Sequence, residues 1–239
     1  MRLVRGELDD PVRDRGVTDS LAALAAETAE SVLRVWTPPR QVAFGRRDTI
    51  ADGYDRAREI ASERGYEPIE REVGGNAVAY TGRTVSFAYA TPTAGGRDGI
   101  DRRYRSTVEA LLDALAETGA TVTPGEPDRS FCPGAHSIRS SDPGGGKISG
   151  IAQRVGQGAV LVGGCVVVRS ADARAIADIL APIYSVLEPP FDPESVGSVA
   201  SAGGPNAVAP VVEAIEAAFG AESGTTAVPA STLRPGDAP

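Results

Sequence analysis

A fold that mixes helices with strands, organised as one main domain, is what the sequence predicts, on three observations. Apolar residues recur at helical spacing in several separate windows, and β-rich runs occupy Thr84 to Thr91, Lys147 to Arg154 and Ala159 to Val168. A chain of 239 residues also buries a large single core without requiring two domains. No apolar run approaches the ~20 residues that cross a bilayer. The opening MRLVRGELDDPVRDRG mixes both charges and lacks an apolar stretch, so no secretory leader and no membrane association are expected, and the cytoplasm is the expected location. A net charge of −8 opposes binding to nucleic acid, whose phosphates call for clustered positive charge. Cys132 and Cys165 form no CxxC pair and His136 is the one histidine, so neither a metal site nor a disulfide is expected.

Taken in order, Thr18 or Asp19 caps a first helix with Leu21, Leu24, Ala25, Thr28 and Val32 on one face, predicted to run to about Leu33. Val35 to Phe44, with Trp36 and two prolines, reads as a short extended segment ending at Gly45. A second helix fits Tyr54 to Arg64, closed by Gly65. REVGGNAVAY, residues 71–80, then places Gly74 and Gly75 where a backbone turns sharply or approaches a ligand; a Gly-Gly turn between strands is the plain alternative. In Thr84 to Thr91 the residues Val85, Phe87 and Tyr89 alternate with smaller ones, as in a strand with one face on the core, expected to pair with the segment before it.

Asp101 caps a third helix with Val108, Leu111, Leu112 and Leu115 inward, closed by Gly119. The runs from Lys147 and from Ala159 form a hairpin through Gly156 and Gly158, with Cys165 packing as a small hydrophobe. Ala171 to Leu187 and Asn206 to Phe219 are two further helices joined by a Pro-, Gly- and Ser-rich connection. The domain thus covers residues 1–219. Residues 220–239, without periodic apolar positions, are expected to be a disordered tail.

Chemistry concentrates between Ser130 and Arg154, in SFCPGAHSIRSSDPGGGKISGIAQR. This stretch holds Cys132, His136 and Lys147, and every other cationic side chain of the protein is arginine. A lysine ammonium is compact and sheds its proton when desolvated, whereas a guanidinium stays charged and planar, so a lone lysine in an arginine-rich chain marks required chemistry. Cys132 is a candidate nucleophile: a thiolate takes an acyl group readily and divides amide formation into two acyl transfers. Lys147 would hold that thiolate by its charge or, when neutral, act as a base toward an incoming amine. His136 lies four residues from Cys132, but closeness in sequence does not make a dyad. Arg71 could position a carboxylate or phosphate, or serve as a surface ion-pair residue.

REVGGNAVAY, SFCPGAHSI and GKISGIAQR, in that order and followed by a turn and an apolar strand, resemble the lipoate and octanoate attachment family, related to biotin protein ligases. The resemblance covers roughly Val35 to Leu187 and implies an α+β fold, a mixed sheet flanked by helices. It further implies that Gly74 and Gly75 line an acyl pocket and that Lys147 contacts the activated carboxyl group. Arg71, Asn76 and Gly150, within the same motifs, join these as substrate-binding candidates. Cys132 in a CPG motif looks like the cysteine-dependent octanoyltransferases that move octanoyl from glycine cleavage H protein to other lipoyl domains. The implied reaction carries octanoyl or lipoyl onto a lysine through a Cys132 thioester, without cofactor, the donor being H protein or acyl carrier protein. An ATP- and Mg²⁺-dependent lipoate ligase and a non-catalytic acyl-binding module are the alternatives. His136 and the insertion from Ser140 to Gly146 depart from the family pattern.

Overall fold

The computed structural model describes residues 1–71, 74–93, 99–221 and 225–233. Two sheets form its frame. The larger has eight strands, β1 (Arg2–Arg5), β2 (Val32–Trp36), β6 (Val85–Pro92), β7 (Val122–Pro124), β8 (Ser137–Ser140), β9 (Lys147–Val155), β10 (Ala159–Val166) and β11 (Thr226–Pro229), in the spatial order β11-β1-β2-β6-β10-β9-β8-β7. β11, β1 and β2 run parallel and the rest pair antiparallel, which makes the sheet mixed. The smaller has three, β3 (Gln41–Phe44), β4 (Glu67–Glu70) and β5 (Val78–Tyr80), with β3 in the middle.

Helices α3 (Ile100–Glu117) and α5 (Val208–Ala218) cover one face of the large sheet, where Leu111, Leu115, Val211 and Ile215 meet Leu33, Val35, Val85 and Phe87. On the other face, α1 (Pro11–Thr28) packs Val17, Leu21 and Ala25 over Val32, Ala88 and Ala90. Beside it the small sheet and α2 (Tyr54–Glu63) and α4 (Ser170–Leu187) enclose a second core of Phe44, Ile60, Phe131, Cys165, Ile183 and Tyr184. The architecture is α+β.

Several boundaries differ from expectation. Helix α1 starts more than two turns earlier, capped by the Asp10 side chain with Pro11 in its first turn, and it ends at Thr28. The chain then reverses through Ala29 at φ 53°, and Val32 and Leu33, assigned to the helix by spacing, belong to β2. The extended segment 35–44 is two strands in two sheets, because Pro38 and Pro39 break the ladder between them. β6 pairs with β2 and β10 rather than with β5, which belongs to the small sheet. The helix ends at Gly65 and Gly119 are as expected, both at positive φ, and Cys165 is buried. The expected tail contributes an edge strand: β11 pairs in parallel with β1, and Ala230 behind it is buried. The expectation for 222–224 and 234–239 lies outside the described residues.

Candidate active site

Where the two sheets diverge they leave a cavity of about 390 Å³. β6, β10 and β9 provide its floor, through Ser86, Ala88, Gly163, Gly150 and Ala152. These are the small positions of three neighbouring strands, and their size is what leaves the space. The small sheet roofs it with two rows from its pairing register. Ile69, Ala43 and Val78 form an apolar row, and Gln41 with Tyr80 forms a polar one. Trp36 and the first turns of α1 line the cavity as well.

Cys132 stands at this cavity on the loop before β8, with φ 42°. A non-glycine residue in the left-handed region costs of order 1 kcal/mol and persists where its surroundings dictate it. Here they do so at three points. The Cys132 N–H donates to the Tyr184 hydroxyl at 2.7 Å, and that hydroxyl donates to the Ala77 carbonyl at 3.0 Å. Its carbonyl accepts from Lys147 Nζ at 2.9 Å. Its Sγ faces Arg71 Nη2 at 3.2 Å, and the same nitrogen donates to the Asn76 carbonyl at 2.6 Å.

Lys147 is 1% exposed. Its Nζ lies 3.0 and 3.1 Å from the Glu126 carboxylate oxygens and donates also to the Phe131 carbonyl at 3.0 Å. An ammonium with three hydrogens is therefore surrounded by four oxygens, which matches the charged form and leaves no lone pair aimed at a substrate amine. Glu126, which the sequence reading passed over, is the hub of this cluster. Besides Lys147 it accepts from the Ser130 and Ser137 hydroxyls and from the Gly134 N–H. The available signal was that a lone buried lysine needs a carboxylate partner.

The glycines differ in role. A Cβ on Gly75, at φ 94°, would stand 2.7 Å from Cys132 Sγ, so only glycine lets the thiol lie there, whereas Gly74 lines the cavity and has open space around it. Gly150 makes room for the Lys147 stem, which a Cβ would approach to 3.3 Å. Asn76 is not among the cavity-lining residues. Its amide donates to Asp48 at 3.2 Å, and Asp48 also accepts the Gly45 N–H at 2.8 Å, so it braces the turn beneath the site and offers only its backbone carbonyl, to Arg71. The His136 ring stacks on Tyr104 with centroids 3.7 Å apart and lines the outer cavity, and none of the hydrogen bonds found joins it to Cys132. The insertion from Ser140 to Gly146 is the tight end of the β8–β9 hairpin, which folds the chain so that Lys147 returns beside Cys132. Among the described residues no cluster of three or more His, Cys, Asp or Glu could hold a metal ion, and no helix is long and apolar enough to cross a membrane.

Residues 15–220 match the family described as the lipoyl protein ligase A/B catalytic domain, and the chain belongs to that family. Among its curated relatives, it is 30% identical over 158 residues to the octanoyl-[GcvH]:protein N-octanoyltransferase of Geobacillus kaustophilus, covering 66% of this chain and 55% of that protein. It is 25% identical over 146 residues to the lipoyl-[GcvH]:protein N-lipoyltransferase of Listeria monocytogenes, covering 61% and 51%. The chain spans about half the length of these relatives. In fold it is similar to a lipoate-protein ligase A bound with ATP, with a TM-score of 0.77 and 18% identity over 97% of this chain and 91% of that one. It is also similar to Ta0514, a lipoate protein ligase candidate from T. acidophilum with bound lipoic acid, with a TM-score of 0.68 and 19% identity over 97% and 92%.

Proposed function

We propose that this chain transfers an octanoyl or lipoyl group from a carrier protein to a lysine of a lipoyl domain through a thioester on Cys132. The observation that carries the reading is the Arg71 guanidinium 3.2 Å from a sulfur whose backbone is clamped at both ends, beside a cavity of acyl-chain size. The guanidinium stands where negative charge gathers on the sulfur when the thioester breaks. In the first step the Cys132 sulfur attacks the donor carbonyl. A C–S bond forms, the donor's bond to that carbon breaks, and the departing amine or thiol takes up a proton. In the second, the acceptor amine attacks the thioester, a C–N bond forms, the thiolate is released and the amine loses a proton.

Lys147 keeps the Cys132 carbonyl fixed and lends its charge to the wall beside the reacting carbon, while Arg71 attends the sulfur. No cofactor enters this chemistry. Relatives named for transfer from GcvH support a carrier protein as donor. A lysine whose hydrogens are all committed to Glu126 and two carbonyls favours this reading over one in which it grips an adenylate. The deciding measurement is intact mass after incubation with octanoylated carrier protein. The wild type is expected to gain an octanoyl adduct that hydroxylamine removes, and Cys132→Ser to gain none. A hydroxylamine-resistant adduct, or no adduct alongside ATP-dependent consumption of lipoate, overturns it.

A further inference from the structure

Resting on the reading of Cys132 as the thiol that takes the acyl group, the surface beside it bears on how a protein partner is held. The turn from Gly45 to Gly53, between β3 and α2, abuts the site: a Cβ on Gly45 would meet the Gly75 carbonyl, and one on Gly75 would stand 2.7 Å from Cys132 Sγ. Its backbone coils as a helix does. The Asp48 and Thr49 N–H groups both donate to the Gly45 carbonyl, at 3.0 and 3.2 Å, and the Ala51 N–H donates to the Asp48 carbonyl at 3.0 Å. Asp48, 1% exposed, occupies the inward side and ties the turn to the Gly45 N–H and the Asn76 amide. Ile50 lies three residues from Arg47 and four from Arg46, the spacing that gathers side chains on one face of a helical turn, and all three are exposed.

Ile50 is 84% exposed, and neither guanidinium has an ion-pair or hydrogen-bond partner among the described residues. Asp52 is the one exposed carboxylate of the turn. An open apolar side chain flanked by free cations has the make-up of a protein interface with a charged rim. Two cations on a chain of net charge −8 are too few for a phosphate backbone or an anionic lipid surface, which call for clusters, but they complement a carboxylate-bearing face of a protein. Reach adds a constraint. A lysine side chain extends about 6 Å over its five bonds, so a domain whose lysine meets the sulfur lies against the rim around Cys132. That rim is low, since Gly74 and Gly134 line the cavity mouth and are exposed. We propose that Arg46, Arg47 and Ile50 form the docking surface for an acidic carrier domain whose lysine arm reaches Cys132. One mouth serves both acyl transfers, so donor and acceptor domains occupy this surface in turn.

The test compares two donors, octanoylated glycine cleavage H protein and octanoyl-N-acetylcysteamine, a thioester too small to touch the turn. Acylation of Cys132 by each would be followed by mass at low and high salt for the full chain, for the double variant Arg46→Glu with Arg47→Glu, and for Ile50→Asp. Binding of labelled, unmodified H protein to the same three proteins would be followed by fluorescence anisotropy. Both variants are expected to slow acylation from H protein about 10-fold or more while leaving the small thioester within about 2-fold, and high salt should slow the wild type with H protein but not the arginine variant. Unchanged rates and binding with H protein overturn the proposal, and so does an equal loss with both donors. Weakened H-protein binding in the variants, with no acylation of wild-type Cys132 by either donor, sustains the docking surface while removing the thioester mechanism.

Discussion

At the scale of single residues the site depends on two positions with unusual backbone. Cys132 adopts φ 42° because Tyr184 holds its N–H and Lys147 its carbonyl, and Gly75 at φ 94° leaves room for the sulfur. Gly75→Ala should therefore displace the thiol and lower the rate of Cys132 acylation at least about 100-fold, the scale of loss from misplacing a reacting atom. Gly74→Ala, with open space around it, should leave that rate within a few-fold. Single-turnover acylation of the two variants, followed by mass, compares them directly. Asp48 supports the same region from below. Burial pushes its carboxyl above the usual range, although the Gly45 N–H and the Asn76 amide pull the other way. A carboxyl raised on folding holds its proton more tightly folded than unfolded, so its contribution to stability falls as pH rises from about 4 through the elevated folded value. Relative to Asp48→Asn, the wild type should lose stability across that interval in urea unfolding at a series of pH values. Parallel curves would remove Asp48 as the source.

At the scale of elements, the site is assembled by the β8–β9 hairpin and by small residues repeated across three strands. The hairpin brings Lys147 against the loop of Cys132, and Glu126 ties the two together. Glu126→Gln leaves a nearly inaccessible ammonium without its carboxylate and should cost about 2–3 kcal/mol in chemical denaturation, the low end for a broken buried pair because Glu126 is 23% exposed. The cavity wall formed by α1 is pinned by a buried network. Asp14 accepts from Arg34 at 2.5 Å and from the Trp36 indole at 2.8 Å, and Arg34, fully buried, also donates to the Gly6 carbonyl at 2.9 Å. Asp14→Asn strands the guanidinium charge and should destabilise by about 3–5 kcal/mol, while joining Asp14→Leu with Arg34→Met should recover much of the loss. A double-mutant cycle in urea measures both.

At the scale of the whole molecule, the large sheet carries an addition at one edge. The family match ends at residue 220, beyond which β11 covers the outer edge of β1. Removing everything after Ala221 uncovers that edge and exposes Ala230's packing site. Such a truncation should cost about 2 kcal/mol, or roughly 4–8 °C in Tm for a chain of this size, and promote association through the bare strand. Cys132 acylation should survive, because β1 and β2 stand between that edge and the cavity floor. Thermal unfolding with light scattering, beside the acylation assay, tests both.

The sequence by itself determined the helices with regular apolar stripes, the β9–β10 hairpin with its glycine turn, and the cassette joining Cys132 to Lys147, because each is set by local spacing and residue chemistry. Tertiary structure decided what depends on distant partners. It placed Val32 and Leu33 in a strand rather than at a helix end, since β1 and β6 offered hydrogen bonds that spacing cannot register. It gave β11 an edge to pair with, where local composition offered no apolar pattern. It turned the small residues of β6, Ser86 and Ala88, from an exposed face into a cavity floor, because a second sheet came to roof them. It assigned Arg71 to the sulfur and Glu126 to the lysine, partners 61 and 21 residues apart whose pairing is a matter of charge and burial in three dimensions.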